Sequence, residues 1–119
     1  MQSLDQIKQR LRTFAAARDW DQFHSPKNLA MAMIVEAAEL VEHFQWLTEE
    51  QSQTLPPDKL AEVEQEIADI QIYLIRLADK LGVDMEQAVN AKMEFDEKKY
   101  PAEKVRGKAV KYNDCDDGC

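Results

Sequence analysis

Two acidic pairs, Glu36 with Glu39 and Glu66 with Asp69, are the residues of this sequence whose type and spacing could do chemistry. Each pair is spaced three residues apart, so on a helix turning about 100° per residue its members lie about 60° apart on one face. The segment from Leu29 to Leu47 that carries the first pair is apolar nearly all the way round, as in a helix buried on several sides. Met33, Leu40 and Leu47 border the stripe of Glu36 and Glu39, and His43 and Trp46 extend it. The second pair repeats the device: Tyr73 extends the stripe of Glu66 and Asp69, and Val63, Ile70 and Leu77 flank it. A carboxylate among core residues is costly unless something compensates its charge.

One acidic pair of this spacing is common on a solvated face. Two matched pairs in apolar stripes, 30 residues apart, are better read as halves of one centre. If their helices pack antiparallel, as a short connection favours, the four carboxylates converge. Four ionised carboxylates in low dielectric repel one another, and they must take up protons or bind cations. Ligands that are all oxygen select hard metals. Mg2+ is the expected one, because it works through carboxylates, waters and substrate phosphates together. Iron is not expected: carboxylate-bridged di-iron bundles need a histidine three residues after a glutamate on two helices, and neither His24 nor His43 is so placed. Glu42, Glu62 and Glu64 are read as surface or flanking acids.

Positioning these groups requires long helices. The chain has three glycines and four prolines, and they fall where helical periodicity breaks. Ser3 with Gln6 forms a capping-box pattern, after which Leu4, Ile7, Leu11 and Phe14 recur at helical spacing, predicting a first helix over 3–18. Residues 19–25 lack that period. Ser25-Pro26 suits a cap and first turn, so a second helix is predicted from 26 to about 47. Thr48 with Gln51 caps at most a short turn. Asp58 is the expected cap of a third helix, which runs to Leu81 and stops at Gly82. Asp84 with Gln87 opens a fourth, ending near Tyr100-Pro101. No segment alternates as a strand does, so the expected class is all-α, a four-helix bundle.

At 119 residues the chain suits one domain, expected over 1–112, with a disordered polar tail over 113–119. Cys115 and Cys119 lie in that tail, where they cannot staple a core, and without a nearby histidine they fall short of a zinc set. The formal charge of −8 opposes binding to nucleic acid. Neither a membrane span nor a signal peptide is present in the pattern, so a cytoplasmic protein is expected. The second helix is apolar on too many sides for one four-helix layer to cover, which points to a homodimer or homotetramer.

The order of these segments resembles the MazG-like all-α nucleoside triphosphate pyrophosphohydrolases, and within them the deoxycytidine triphosphate pyrophosphatases. The resemblance runs over most of residues 10–112, through Arg18 to His24, Asn28-Leu29, Glu36 to Leu40, Phe44 to Trp46, Glu66 to Ile70, Tyr73-Leu74, Lys92-Met93, Lys99 to Pro101 and Lys111-Tyr112. It implies a four-helix bundle of the MazG-like type and attack at the α-phosphorus of a triphosphate with release of pyrophosphate. Glu36, Glu39, Glu66 and Asp69 would hold Mg2+, and Glu36 or Glu39 would serve as the base. Trp20, Phe23, His24, Trp46 and Tyr73 then offer surface for a base and sugar, while Lys92, Lys99 and Arg106 suit phosphate oxygens. The family commonly has an asparagine four residues after the lysine matching Lys92. This chain has Asp96 there, which adds negative charge beside the expected phosphate contacts. The alternatives are a related enzyme acting on deoxyuridine triphosphate, phosphoribosyl-ATP or a broad set of triphosphates, and a non-enzymatic helical interaction module.

Overall fold

The computed structural model describes residues 1–109, which divide into two compact units, Met1–Val83 and a second beginning at Asp84. The expected tail, with Cys115 and Cys119, lies outside the described residues. Helices account for all the regular structure among the described residues: α1 (Leu4–Ala17), a 3-10 turn (Asp21–Phe23), α2 (Pro26–Glu42), α3 (Glu49–Ser52), α4 (Pro57–Lys80), α5 (Met85–Lys99) and α6 (Ala102–Val105). The expected all-α class and its four long helices are present. No described helix is long and apolar enough to cross a membrane.

The starts of these helices follow their side chains. Ser3 accepts from the Gln6 amide and Gln6 Oε1 accepts from the Ser3 amide, and Thr48 and Gln51 form the same reciprocal box at α3. Ser25 caps α2 by accepting from the Asn28 amide, with Pro26 in the first turn. Asp84 caps α5 in the same way from Gln87. One start differs from expectation. Pro56, not Asp58, precedes α4, and Pro57 occupies the first helical position, where a missing amide proton leaves no bond unmade.

Two of the long helices end on a left-handed residue. At α4, Gly82 (φ 68°) lets its own amide reach the Asp79 carbonyl and the Val83 amide reach Ala78. At α1 the same pair of bonds runs from Asp19 to Ala16 and from Trp20 to Ala15, but the left-handed residue is Asp19 (φ 52°). An aspartate there is less favourable than glycine. Its side chain is engaged by Gln22 Nε2 at 3.0 Å, which fixes the turn that follows and sends Trp20 back over α1.

α2 is shorter than its sequence suggests, ending at Glu42 rather than near 47. Residues 43–47 continue as tightened turns, with Phe44 and Gln45 both bonded to the Val41 carbonyl and Leu47 to that of Phe44. No glycine or proline marks this break, so periodicity ran on past it.

In the first unit α2 packs along α4, and α1 packs on α4 less extensively. The pairing is antiparallel. His43, at the end of α2, meets Lys59 and Glu62 near the start of α4, whereas Asp21 and His24, ahead of α2, meet Arg76 near its end. Ala15, Leu29, Val63 and Ile75 form the buried core, and Arg76 is buried with them. Many large apolar side chains stay exposed, among them Met31, Ile34, Val35 and Val41 on α2 and Leu60 and Ile67 on α4.

Candidate active site

The antiparallel packing of α2 on α4 brings Glu36 and Glu39 opposite Glu66, so that one carboxylate oxygen from each lies within 4.8 Å of the others. Asp69, one turn beyond Glu66, acts on Glu36 through its charge and stands in the wall of an adjoining cavity. Burial pushes Glu36 up to about 7, aided by sharing hydrogen bonds with Glu39 and Glu66 and by the charges of Glu39 and Asp69. A buried carboxyl among other carboxylates is favoured in its charged form only if a cation balances it. Glu66 Oε2 is buried with no hydrogen-bond partner among the described residues. An orphaned buried carboxylate oxygen beside two further carboxylates is a donor set suited to a hard divalent cation. His43 flanks the cluster, its Nε2 3.9 Å from Glu66 Oε1 and its Nδ1 3.5 Å from Lys59 Nζ.

The cavity beside Asp69 has a volume of about 640 Å³, within the usual range of small-molecule sites. Phe14, Trp20, His24, Tyr73 and Arg76 line it together with Asp69. Phe14 meets Trp20 edge to face, with ring centroids 5.6 Å apart, and the Arg18 guanidinium lies over the Phe14 ring, 3.7 Å from its centroid. The Trp20 ring is thereby held as one wall, a flat surface on which a base could stack.

Not every expected residue reaches this place. Trp46 lies beyond the end of α2 and is 86% exposed, and Phe23 is 59% exposed; neither lines the cavity. For Trp46 the cause is the early end of α2, which takes it off the carboxylate stripe. Lys92, Asp96, Lys99 and Arg106 belong to the second unit. There Lys92 Nζ is 2.9 Å from Asp96 Oδ1, so the aspartate that departs from the family pattern is paired on its own helix. Lys92 and Lys99 both approach the Phe95 ring, at 4.9 and 5.5 Å, and Arg106 ends α6.

Arg76 is the residue that reading the sequence overlooked. It stands seven residues after Asp69, so it continues the stripe of Glu66, Asp69 and Tyr73, and it is the one charge between Ile70 and Leu77. Its buried head group donates to Asp21 Oδ1 at 2.8 Å, which Lys80 also reaches at 2.8 Å. These two cations hold the Asp21 carboxyl below the usual carboxylate range.

The MazG-like family profile matches residues 31–115, which include all four carboxylates. The chain belongs to the MazG-like family. Among its MazG-like relatives, dCTP pyrophosphatase 1 of Mus musculus is 44% identical over 114 residues, covering 94% of this chain and 67% of the mouse protein. The Bos taurus and Homo sapiens proteins of the same name are 42% and 39% identical over 118 residues, covering 98% of this chain and 70% and 69% of theirs. A pyrophosphatase crystal structure from Archaeoglobus fulgidus superposes with a TM-score of 0.68 at 38% identity, covering 85% of this chain and 94% of that one. The MazG-like fold expected from the order of the segments is therefore the fold of this chain.

Proposed function

We propose that this MazG-like chain hydrolyses a deoxynucleoside triphosphate, with dCTP among its best substrates, to the monophosphate and pyrophosphate. The observation that carries this reading is the convergence of Glu36, Glu39 and Glu66 beside a cavity walled by Trp20, Tyr73 and Asp69. The names of the relatives, dCTP pyrophosphatase in three mammals, support the substrate.

In this reading Glu36, Glu39, Glu66 and Asp69 would hold Mg2+. The bound ion would neutralise phosphate charge and make an attacking water more acidic. Glu36 or Glu39 takes the proton as the water oxygen bonds to the α-phosphorus, and the bond from that phosphorus to the bridging oxygen breaks, so the electron pair leaves with pyrophosphate. Trp20 stacks on the base, and Tyr73, which lines the cavity one turn beyond Asp69 on α4, bounds the sugar. A second copy of the chain covers the exposed apolar face of α2, since monomeric proteins rarely leave a face carrying Met31, Ile34, Val35 and Val41 in water.

The test is a panel of deoxynucleoside and ribonucleoside triphosphates incubated with Mg2+ and resolved by anion exchange. Monophosphate and pyrophosphate from dCTP, abolished by chelation, are expected. Absence of turnover on every member would favour a non-enzymatic helical module instead.

A further inference from the structure

His24 enters the cavity wall next to Trp20, with ring centroids 6.4 Å apart, and its Nδ1 lies 3.3 Å from the Arg76 Nη2 that also donates to Asp21. A guanidinium has donors only. Nδ1 can therefore engage Arg76 only as an acceptor, and a neutral ring must then carry its proton on Nε2. Arg76 itself has little freedom to turn away: it is buried, and Asp21 anchors it at 2.8 Å while Lys80 anchors Asp21 from the other side. Burial and the positive charge of Arg76 both push His24 below its usual range, so the ring is neutral at pH 7.

Resting on the nucleotide reading above, we infer that Arg76 is a positioning residue that locks His24 as an Nε2–H donor, selecting a base with an acceptor at ring position 3. Cytosine has a bare nitrogen there. Uracil and thymine have an N–H, which would face the His24 donor with a second donor. Stacking on Trp20 tolerates every base alike, so this contact supplies the discrimination that the aromatic wall lacks. A mismatched donor in a site built for an acceptor is heavily rejected, whereas a missing methylene is not. The device also explains why a charged side chain sits in the apolar end of α4: its partners Asp21 and His24 are brought to it by the turn that Asp19 begins.

Two measurements test this. The first is the ¹⁵N spectrum of the histidine rings in the nucleotide-free protein at pH 7.5; the chain has two histidines, and His24→Phe assigns their signals. His24 should show the Nε2–H tautomer in wild type and a mixture of tautomers in Arg76→Met. An Nδ1–H tautomer in wild type would overturn the inference. The second is kcat/KM for dCTP, dUTP and 3-deaza-dCTP, whose ring position 3 is C–H. Wild type should prefer dCTP over each of the others by about tenfold or more, through KM rather than kcat. Arg76→Met should lose most of that preference, Arg76→Lys should restore part of it, and His24→Phe should treat dCTP and 3-deaza-dCTP alike. Equal values for the three substrates in wild type refute the lock and leave the hydrolase reading standing. A wild type that hydrolyses none of them refutes both. Should Arg76→Met not fold, the wild-type tautomer and the 3-deaza-dCTP comparison decide the matter alone.

Discussion

Arg12 of α1 grips Asp79 of α4 with both arms of its guanidinium, Nε to Oδ2 at 2.6 Å and Nη2 to Oδ1 at 2.5 Å. Planar bidentate pairs of this kind are the strong form of the ion pair. The two residues are 67 apart in sequence, and few other contacts tie α1 to α4, so this pair sets where Phe14 and Ala15 stand in the cavity wall. The hydrogen bond from Arg12, then its charge, holds the Asp79 carboxyl below its ordinary value of 3.8.

A carboxyl whose folded value is depressed contributes stability that is present above the unfolded value and lost as pH falls through the folded one. Asp79 and Asp21 are both depressed from 3.8, so their contribution to thermal stability should be flat down to about that pH and fall steeply below it. Asp79→Asn should lower Tm at pH 7 by several degrees and flatten the acid limb. A variant with wild-type Tm and an unchanged acid limb would show that the pair contributes nothing.

The carboxylate centre predicts opposite effects on activity and on stability. Glu36→Gln, Glu39→Gln, Glu66→Gln and Asp69→Asn should each lower turnover by at least about a hundredfold, since each removes a charged ligand or base. In chelator-treated protein, Glu36→Gln should raise Tm, because it removes a carboxyl that burial, and then the neighbouring Glu39, Glu66 and Asp69, push up to about 7. Turnover assays paired with thermal melts check both. Near-normal turnover in all four variants would remove the centre.

Stacking on the fixed Trp20 ring should contribute about 1–3 kcal/mol to nucleotide binding. Trp20→Ala is therefore expected to raise KM about tenfold or more while changing kcat little. Phe14→Ala should do the same more weakly, as Phe14 acts through the Trp20 ring. Steady-state kinetics on dCTP separate the two constants, and a Trp20→Ala enzyme with normal KM would take the base out of this cavity.

Exposed Met31, Ile34 and Val35 share a face of α2 that a second copy would cover under the proposed assembly. Light scattering at micromolar concentration should find a dimer or tetramer, and Ile34→Asp should dissociate it. A wild-type monomer at that concentration would contradict this.

Much of the fold was legible because helix starts are written in side chains: Ser3, Ser25, Thr48 and Asp84 each cap where their pattern predicts. The matched acids were legible for a related reason, since ionised groups in an apolar stripe break the rule that a core follows. The end of α2 was not. It rests on tightened turns after Val41 with no glycine or proline to signal them, and Trp46 consequently lies past the end of the helix that its spacing predicts. Nor was Arg76, whose partners Asp21 and His24 lie 55 and 52 residues away and come to it only through the antiparallel packing.

The most direct test of the central claim is hydrolysis of dCTP with Mg2+ in ¹⁸O-labelled water, with the products separated and weighed by mass spectrometry. Attack at the α-phosphorus beside Glu36, Glu39, Glu66 and Asp69 predicts the label in dCMP and unlabelled pyrophosphate. Label in pyrophosphate or in inorganic phosphate, with dCMP unlabelled, would contradict it.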